Sequence, residues 1–267
     1  MTGLLNKGAY FMFENRVLRQ RTVDVTVQDY LNKDNLFHAQ FTTKAGNPAL
    51  VQVMQDNDTG YYDSPREWDN LWTWVTSDRA GYSDIDFRGT KENNFRDRTH
   101  HNVDDYVGET RRLSKDFLKH NVVVKLYLYR HSGDYIYSAR SVNLPCNVTC
   151  KWDSGCMGFA FVSKEKIRKE YGTHKWEDGK DIGVPLKRIS KQVMEEAYAC
   201  LEGEIQTMNM LNAGEVYWFK VVDMMTDEED SCGGNYAGSR KEIAQQVADF
   251  LHGWCDNPSD VAQEMVA

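Results

Sequence analysis

Apolar and polar side chains alternate along three early stretches, "TVDVTVQD" (22–29), "LFHAQFTT" (36–43) and "ALVQVMQD" (49–56). A period of two is the signature of a strand with one buried face. The "KAGNP" segment (44–48) supplies a cluster of turn formers between the second and third. The N-terminal part of the chain therefore reads as a small antiparallel β-meander. It is followed by a loop, "DNDTGYYDSP" (56–65), and by a polar, aromatic and poorly periodic stretch over 66–106. A long irregular segment of that kind marks a functional or mobile region.

Beyond it the pattern becomes regular. The spacing predicts a helix over 108–120 and the strongest strand of the chain over 121–130, "NVVVKLYLYR", whose near-continuous apolar run suits a central position. Strands follow at 135–142 and 157–162. Ser163 is placed to cap a short helix, "KEKIRKEY", with Gly172 expected to end it in the left-handed conformation. Met194, Ala197, Tyr198, Leu201, Ile205, Met208 and Leu211 recur every three or four residues, which predicts a long helix over 189–214 closed by Gly214. Gly203 inside it suggests a close packing contact. A strand is expected over 215–222 and an acidic loop over 226–238. A last helix over 239–254 opens with Ser239 and Glu242 at capping-box spacing.

Strands and helices mix without βαβ alternation. The fold class is α+β, a mainly antiparallel sheet covered by helices on one side, with the N-terminal β-meander. A boundary near 60–65 divides a β-rich extension, 1–62, from a main domain, 63–267, unless the two form one continuous domain.

Composition narrows the function. Of the 267 residues 41% are hydrophobic and 27% charged, with a net charge of −8. An acidic chain lacks the basic face that releases phosphate counterions, so direct nucleic-acid binding is not expected. No apolar run reaches the roughly 18 residues of a membrane span, and the N-terminus lacks the order of a signal peptide. A cytoplasmic location is expected, with the six cysteines as thiols. Seven tryptophans and fourteen tyrosines provide side chains suited to interfaces and half-buried pockets.

Candidate chemistry is scattered. Cys146, Cys150 and Cys156 form C-x3-C-x5-C, not the two close pairs of a structural zinc site, so no metal is expected and zinc is the lesser alternative. His100 and His101 near Asp104 and Asp105 are a weaker metal candidate still. In "WDSG" (152–155), Asp153 and Ser154 stand at a strand entrance, either as an Asx-turn or as presented polar groups. His131 follows the strongest strand, as a general base or as a surface turn residue. "SPREWDN" (64–70) gathers Arg66, Glu67, Trp68 and Asp69, a salt-bridged cluster or anion site if not simply a helix start at Pro65. The acidic stretch with Asp230 and Cys232 has cation-ligand residue types without EF-hand spacing. Walker A, G-x-G-x-x-G and G-x-S-x-G motifs are absent.

Four segments, "SPREWDNL" (64–71), "LYRHSG" (128–133), "CKWDSGCMGFAFVSKEKIRKEYG" (150–172) and "DSCGG" (230–234), occur in that order. In them the chain resembles a widespread group of uncharacterised bacteriophage proteins with P-R-E-W-D-N-L, L-Y-D-H-S-G, C-P-W-D-S-G-Q-V-G and D-S-C-W-G patterns. The matching polar residues are Arg66, Glu67, Asp69, His131, Ser132, Cys150, Asp153, Ser154, Asp230, Ser231 and Cys232. Arg130 stands where the group has Asp, Lys151 where it has Pro, Cys156 where it has Gln and Gly233 where it has Trp. The resemblance implies a viral origin but no particular activity. Two expectations follow. One is a protein that binds a host or host-defence component in the bacterial cytoplasm and inhibits or redirects it, with Arg66, Glu67, Trp68 and Trp152 as binding residues. The other is an enzyme or small-ligand protein whose polar pocket joins Asp69, His131, Asp153 and Asp230, with Ser154 and Cys232 as further candidates.

Overall fold

The computed structural model describes residues 27–57, 64–76, 82–84, 113–131, 133–142, 144–145, 148, 152–177 and 180–267. In chain order the elements are α1 (Val27–Tyr30), β1 (Asn35–Thr42), β2 (Pro48–Gln55), a 3-10 turn (Pro65–Glu67), β3 (Thr73–Thr76), α2 (Lys115–His120), β4 (Asn121–Arg130) and β5 (Asp134–Ser138). They continue with β6 (Ser154–Ser163), α3 (Lys164–Glu170), β7 (Trp176–Glu177), β8 (Lys180–Asp181), α4 (Lys191–Ala213), β9 (Val216–Asp223), β10 (Glu229–Tyr236), α5 (Arg240–Phe250) and α6 (Pro258–Val266). The fold class is α+β, and every paired strand is antiparallel.

The chain divides into two compact units, one built from 1–62 and 214–267, the other from 63–213. This differs from the expected split into 1–62 and 63–267 at the C-terminal end. The physical reason is strand pairing: β9 joins β2 over Ala49↔Asp223 to Gln55↔Tyr217, so the C-terminal segment completes the sheet begun by the N-terminal hairpin.

In the first unit the sheet order is β1-β2-β9-β10. Phe219, Val221, Val51 and Ala39 meet Ile243, Val247 and Leu251 of the α5 region and Met265 of α6 in one core. The Ser239 cap forms as expected, its Oγ accepting from the Glu242 N–H, while the Glu242 carboxylate accepts from the Gly238 N–H. Two expectations are corrected here. The described end of the 22–29 stretch is a helical turn, Val27–Tyr30, not a strand. It is held by fully buried Gln52, which accepts from the Asn32 N–H at 2.7 Å and donates to the Tyr30 carbonyl at 3.0 Å. The acidic loop expected over 226–238 is mostly strand β10, because Glu229–Cys232 pair with Val222–Phe219.

In the second unit the sheet order is β3-β6-β4-β5, and β7 and β8 form a separate two-stranded hairpin. The apolar stripe of α4 lies on one face of this sheet, where Ala197, Leu201, Ile205 and Met208 meet Trp72, Trp74, Leu126, Ile136 and Ala160. A smaller cluster of Val75, Leu113 and Phe159 lies apart from it. Ser163 caps α3 and Gly214 closes α4 with φ 72°, both as expected. Gly172 is not left-handed. It is glycine because a Cβ there would stand 2.6 Å from the Val184 carbonyl oxygen. Gly203 has nothing within 4 Å of an added Cβ, so no close packing explains it. The tightest approach is at Gly158 on β6, where a Cβ would fall 2.0 Å from the Val75 carbonyl oxygen of β3. Only glycine allows those two strands to pair in this register.

Candidate functional site

Arg66 sits at the centre of a buried charge cluster. The 3-10 turn that carries it starts at Ser64, whose Oγ accepts from the Arg66 N–H, and at Pro65, which presets the first helical φ. Its Nε and Nη2 bond both oxygens of Asp84, at 2.9 and 2.5 Å. Nη1 donates to Glu204 at 2.8 Å, and Nη2 also donates to the Trp72 carbonyl at 2.9 Å. The guanidinium carbon lies 4.1 Å from the Trp74 ring centroid. Side-chain exposure of Arg66, Asp84 and Glu204 is 7%, 15% and 7%, so the cluster is nearly dry. Burial works to lower the Arg66 pKa, and the Asp84 and Glu204 carboxylates more than reverse it, so Arg66 stays a cation. Burial raises the Glu204 carboxyl against the pull of Arg66 and the Trp72 N–H.

The two carboxylates also serve the backbone. Glu204 accepts from the Trp72 N–H at 3.1 Å, Asp84 accepts from the Trp74 N–H at 2.7 Å, and Ser83 accepts from the Thr76 N–H at 3.3 Å. These donors belong to the outer side of β3 and the residue just before it, so the cluster closes that edge of the sheet and Arg66 neutralises the acids that do it. The opposite edge, β5, is closed in the same manner. The Asn209 amide accepts from the Ile136 N–H at 2.7 Å and donates to the Ile136 carbonyl at 2.8 Å, the pair of bonds a neighbouring strand would make. The Ser138 N–H donates to Ser141 Oγ, and both hydroxyls donate to Glu202. The expected alternative of Arg66 as an anion-holding group is thereby corrected, because its donors are engaged by internal partners. Glu67 and Asp69, its expected partners, are exposed and take no part.

A second polar group lies at the far end of β4. Arg130 chelates Asp134 through Nε at 2.7 Å and Nη2 at 2.6 Å, and the Tyr82 hydroxyl donates to the same carboxylate at 2.9 Å. Arg130 holds the Asp134 carboxyl below its ordinary value, and burial together with Asp134 pushes Tyr82 up to about 12. A lowered folded pKa contributes stability that is present above the ordinary aspartate value of 3.8 and is lost as pH falls through the folded value. Thermal melts of Asp134→Asn against the parent protein should therefore converge as pH is lowered below that range and diverge toward neutrality. Equal spacing at every pH would contradict this.

Next to that network, His131 Nδ1 lies 3.5 Å from Asp153 Oδ2, longer than a good hydrogen bond, with the two side chains 67% and 33% exposed. The His131 ring stacks 6.3 Å from Tyr129. The Arg130 N–H donates to the Asp153 carbonyl, which fixes the loop at the entrance of β6. Ser154 is not poised as a nucleophile, since its hydroxyl donates to the Val148 carbonyl. Ser132, Cys146 and Cys150, like His100, His101, Asp104 and Asp105, lie outside the described residues. Of the residues expected to converge, His131 and Asp153 meet, Asp69 is exposed on the loop after the 3-10 turn, and Asp230 and Cys232 belong to the other unit, exposed on β10. Burial raises the thiols of Cys156 and Cys255 and pushes Cys200 up to about 11, which makes them packing groups and not thiolates. Among the described residues no group of three or more His, Cys, Asp or Glu side chains is placed to hold a metal ion, and no described helix is long and apolar enough to cross a membrane.

What stands out on the surface is aromatic. Trp152 is 95% exposed beside Asp153, Trp176 on β7 is 71% exposed and Trp68 is 50% exposed, while Trp72 and Trp74 are buried. Sequence reasoning named Trp68 and Trp152 but missed Trp176. It also missed Asp84, Glu204 and Asn209. A signal for the last two was present: Glu204 falls three residues after Leu201 and four before Met208, and Asn209 four after Ile205, so both interrupt the apolar stripe of α4. Compared with known proteins, the chain matches no family model, no curated protein and no solved structure.

Proposed function

We propose that this chain acts as a binding protein that engages a protein partner through its exposed tryptophans. The observation that carries the reading is Trp152, an indole left 95% exposed on a loop whose base is fixed by backbone pairing. A large apolar side chain left in water forfeits about 1.5–3 kcal/mol of burial, and Trp is the residue most enriched at interface hot spots. Trp176, also exposed, lies on the same unit. The resemblance to uncharacterised bacteriophage proteins and the net charge of −8 support a host or host-defence protein as the partner, inhibited or redirected by occupation of its surface in the bacterial cytoplasm.

The test is retention of bacterial lysate proteins on the immobilised chain, followed by titration of the purified partner. Trp152→Ala and Trp176→Ala should leave the thermal melt unchanged, because the indoles contribute little to the core. At least one of them should weaken partner binding about tenfold or more. Undiminished binding by both variants, or no specific partner at all, would overturn the proposal.

A further inference from the structure

We infer that the exposed half of β10 is a docking edge for a basic extended peptide segment, which would add to the first unit's sheet as a fifth strand. This stands independently of the tryptophan surface. Among the described residues, the edges of the two four-stranded sheets differ in what lies against them. β3 is closed by Glu204, Asp84 and Ser83, β5 by Asn209 and Ser141, and α6 packs against β1. β10 is different: Glu229, Asp230, Ser231 and Cys232 are all exposed.

The backbone phase shows which groups point away from the sheet. The Asp223 N–H donates to the Glu228 carbonyl at 2.8 Å, and the register places Val221 opposite Asp230 and Phe219 opposite Cys232. Bonded and non-bonded pairs alternate in an antiparallel ladder. Asp230 and Cys232 therefore bond β9, and Glu229 and Ser231 turn their N–H and C=O groups outward. Among the described residues no neighbouring element bonds those groups. The Ser231 N–H is held only by the Asp230 carboxylate at 2.8 Å, a local contact that a strand carbonyl would replace. The register irregularity between Cys232 and Asn235 limits the open edge to this half of the strand.

Charge selects the occupant. The run Asp227-Glu228-Glu229-Asp230 leads into the open groups; Lys220 pairs with Glu229 and Tyr30 with Asp227, so Glu228 and Asp230 carry the excess negative charge. A second copy of this chain pairing antiparallel so that Glu229 and Ser231 of both strands are all bonded would set Asp230 opposite Asp230, and like charges directly opposite are destabilising. An apolar strand would meet a charged rim. A segment alternating Lys or Arg with β-favouring residues gains both the ladder bonds and the charge pairs, by the strand-addition mode of recognition.

The probe is a capped peptide of about nine residues alternating Lys and Thr, titrated onto the full chain while amide exchange is followed. Binding should slow exchange at Glu229 and Ser231 by at least about tenfold. It should be lost with a peptide N-methylated at every backbone nitrogen, which keeps its charge but can donate no ladder bond from either edge. Ser231→Pro, which removes an outward donor and spares the bonds to β9, should weaken binding by a similar factor. Should that variant fail to fold, the N-methylated peptide on the unmodified protein decides the matter. Equal binding of the N-methylated peptide would reduce the edge to a diffuse acidic surface and overturn the inference, as would absence of binding.

Discussion

Replacing Arg66 with methionine is expected to destabilise the second unit by about 3–5 kcal/mol, the cost typical of stripping one partner from a buried ionic group. The change leaves Asp84 and Glu204, 15% and 7% exposed, as uncompensated carboxylates that must still accept from the Trp74 and Trp72 N–H groups. Neither acid can turn to solvent without opening the β3 edge. Adding Glu204→Gln to Arg66→Met should recover part of the loss. The amide oxygen can still accept from Trp72, and one buried charge is gone. Urea unfolding of the parent, the single and the double variant checks the order. A double variant no more stable than the single one would mean that the charge balance is not what holds the cluster. The raised Glu204 carboxyl sharpens the reading. A folded pKa above the ordinary value weakens stability as pH rises through the window between the two, and Glu204→Gln should remove that component.

Asn209→Leu is expected to cost about 2–4 kcal/mol despite near-equal volume. Ile136 is fully buried, and its N–H and C=O both depend on the Asn209 amide. Each backbone group left unsatisfied in a buried setting loses about 1–3 kcal/mol. Leucine adds apolar contact beside Ile205 and Met208 but cannot bond a strand edge. Asn209→Gln, which keeps the amide one methylene further away, should fall between parent and leucine in a thermal melt. A leucine variant as stable as the parent would show that the edge bonds contribute nothing net.

Both predictions concern residues that a linear reading passes over. The α4 stripe from Met194 to Leu211, the β4 run and the Ser163 and Ser239 caps were legible because each depends on neighbours three, four or two positions away. The α1 turn was misread because its Val and Gln alternate like a strand, while its conformation is set by Gln52, far along the chain. β10 was misread because acids, glycines and asparagine carry low strand propensity, and only pairing with β9 overrides it. In the candidate sites, "SPREWDN" pointed to Arg66 but not to its partners, which lie 18 and 138 residues away.

The amino-acid sequence by itself determined the class of this protein. Its periodicities specify antiparallel strands and amphipathic helices. Tertiary structure alone decided which segments share a sheet, so that residues after 213 complete the N-terminal unit. It also decided whether a polar residue is a site or a support. Arg66 and Ser154 became supports because their donors meet internal acceptors, whereas Trp152 and the outer face of β10 remain open. The physical reason is that a side chain's chemistry is set by what fills its hydrogen-bonding capacity and excludes water around it. For Arg66 those groups come from 18 and 138 residues away, for Ser154 from six.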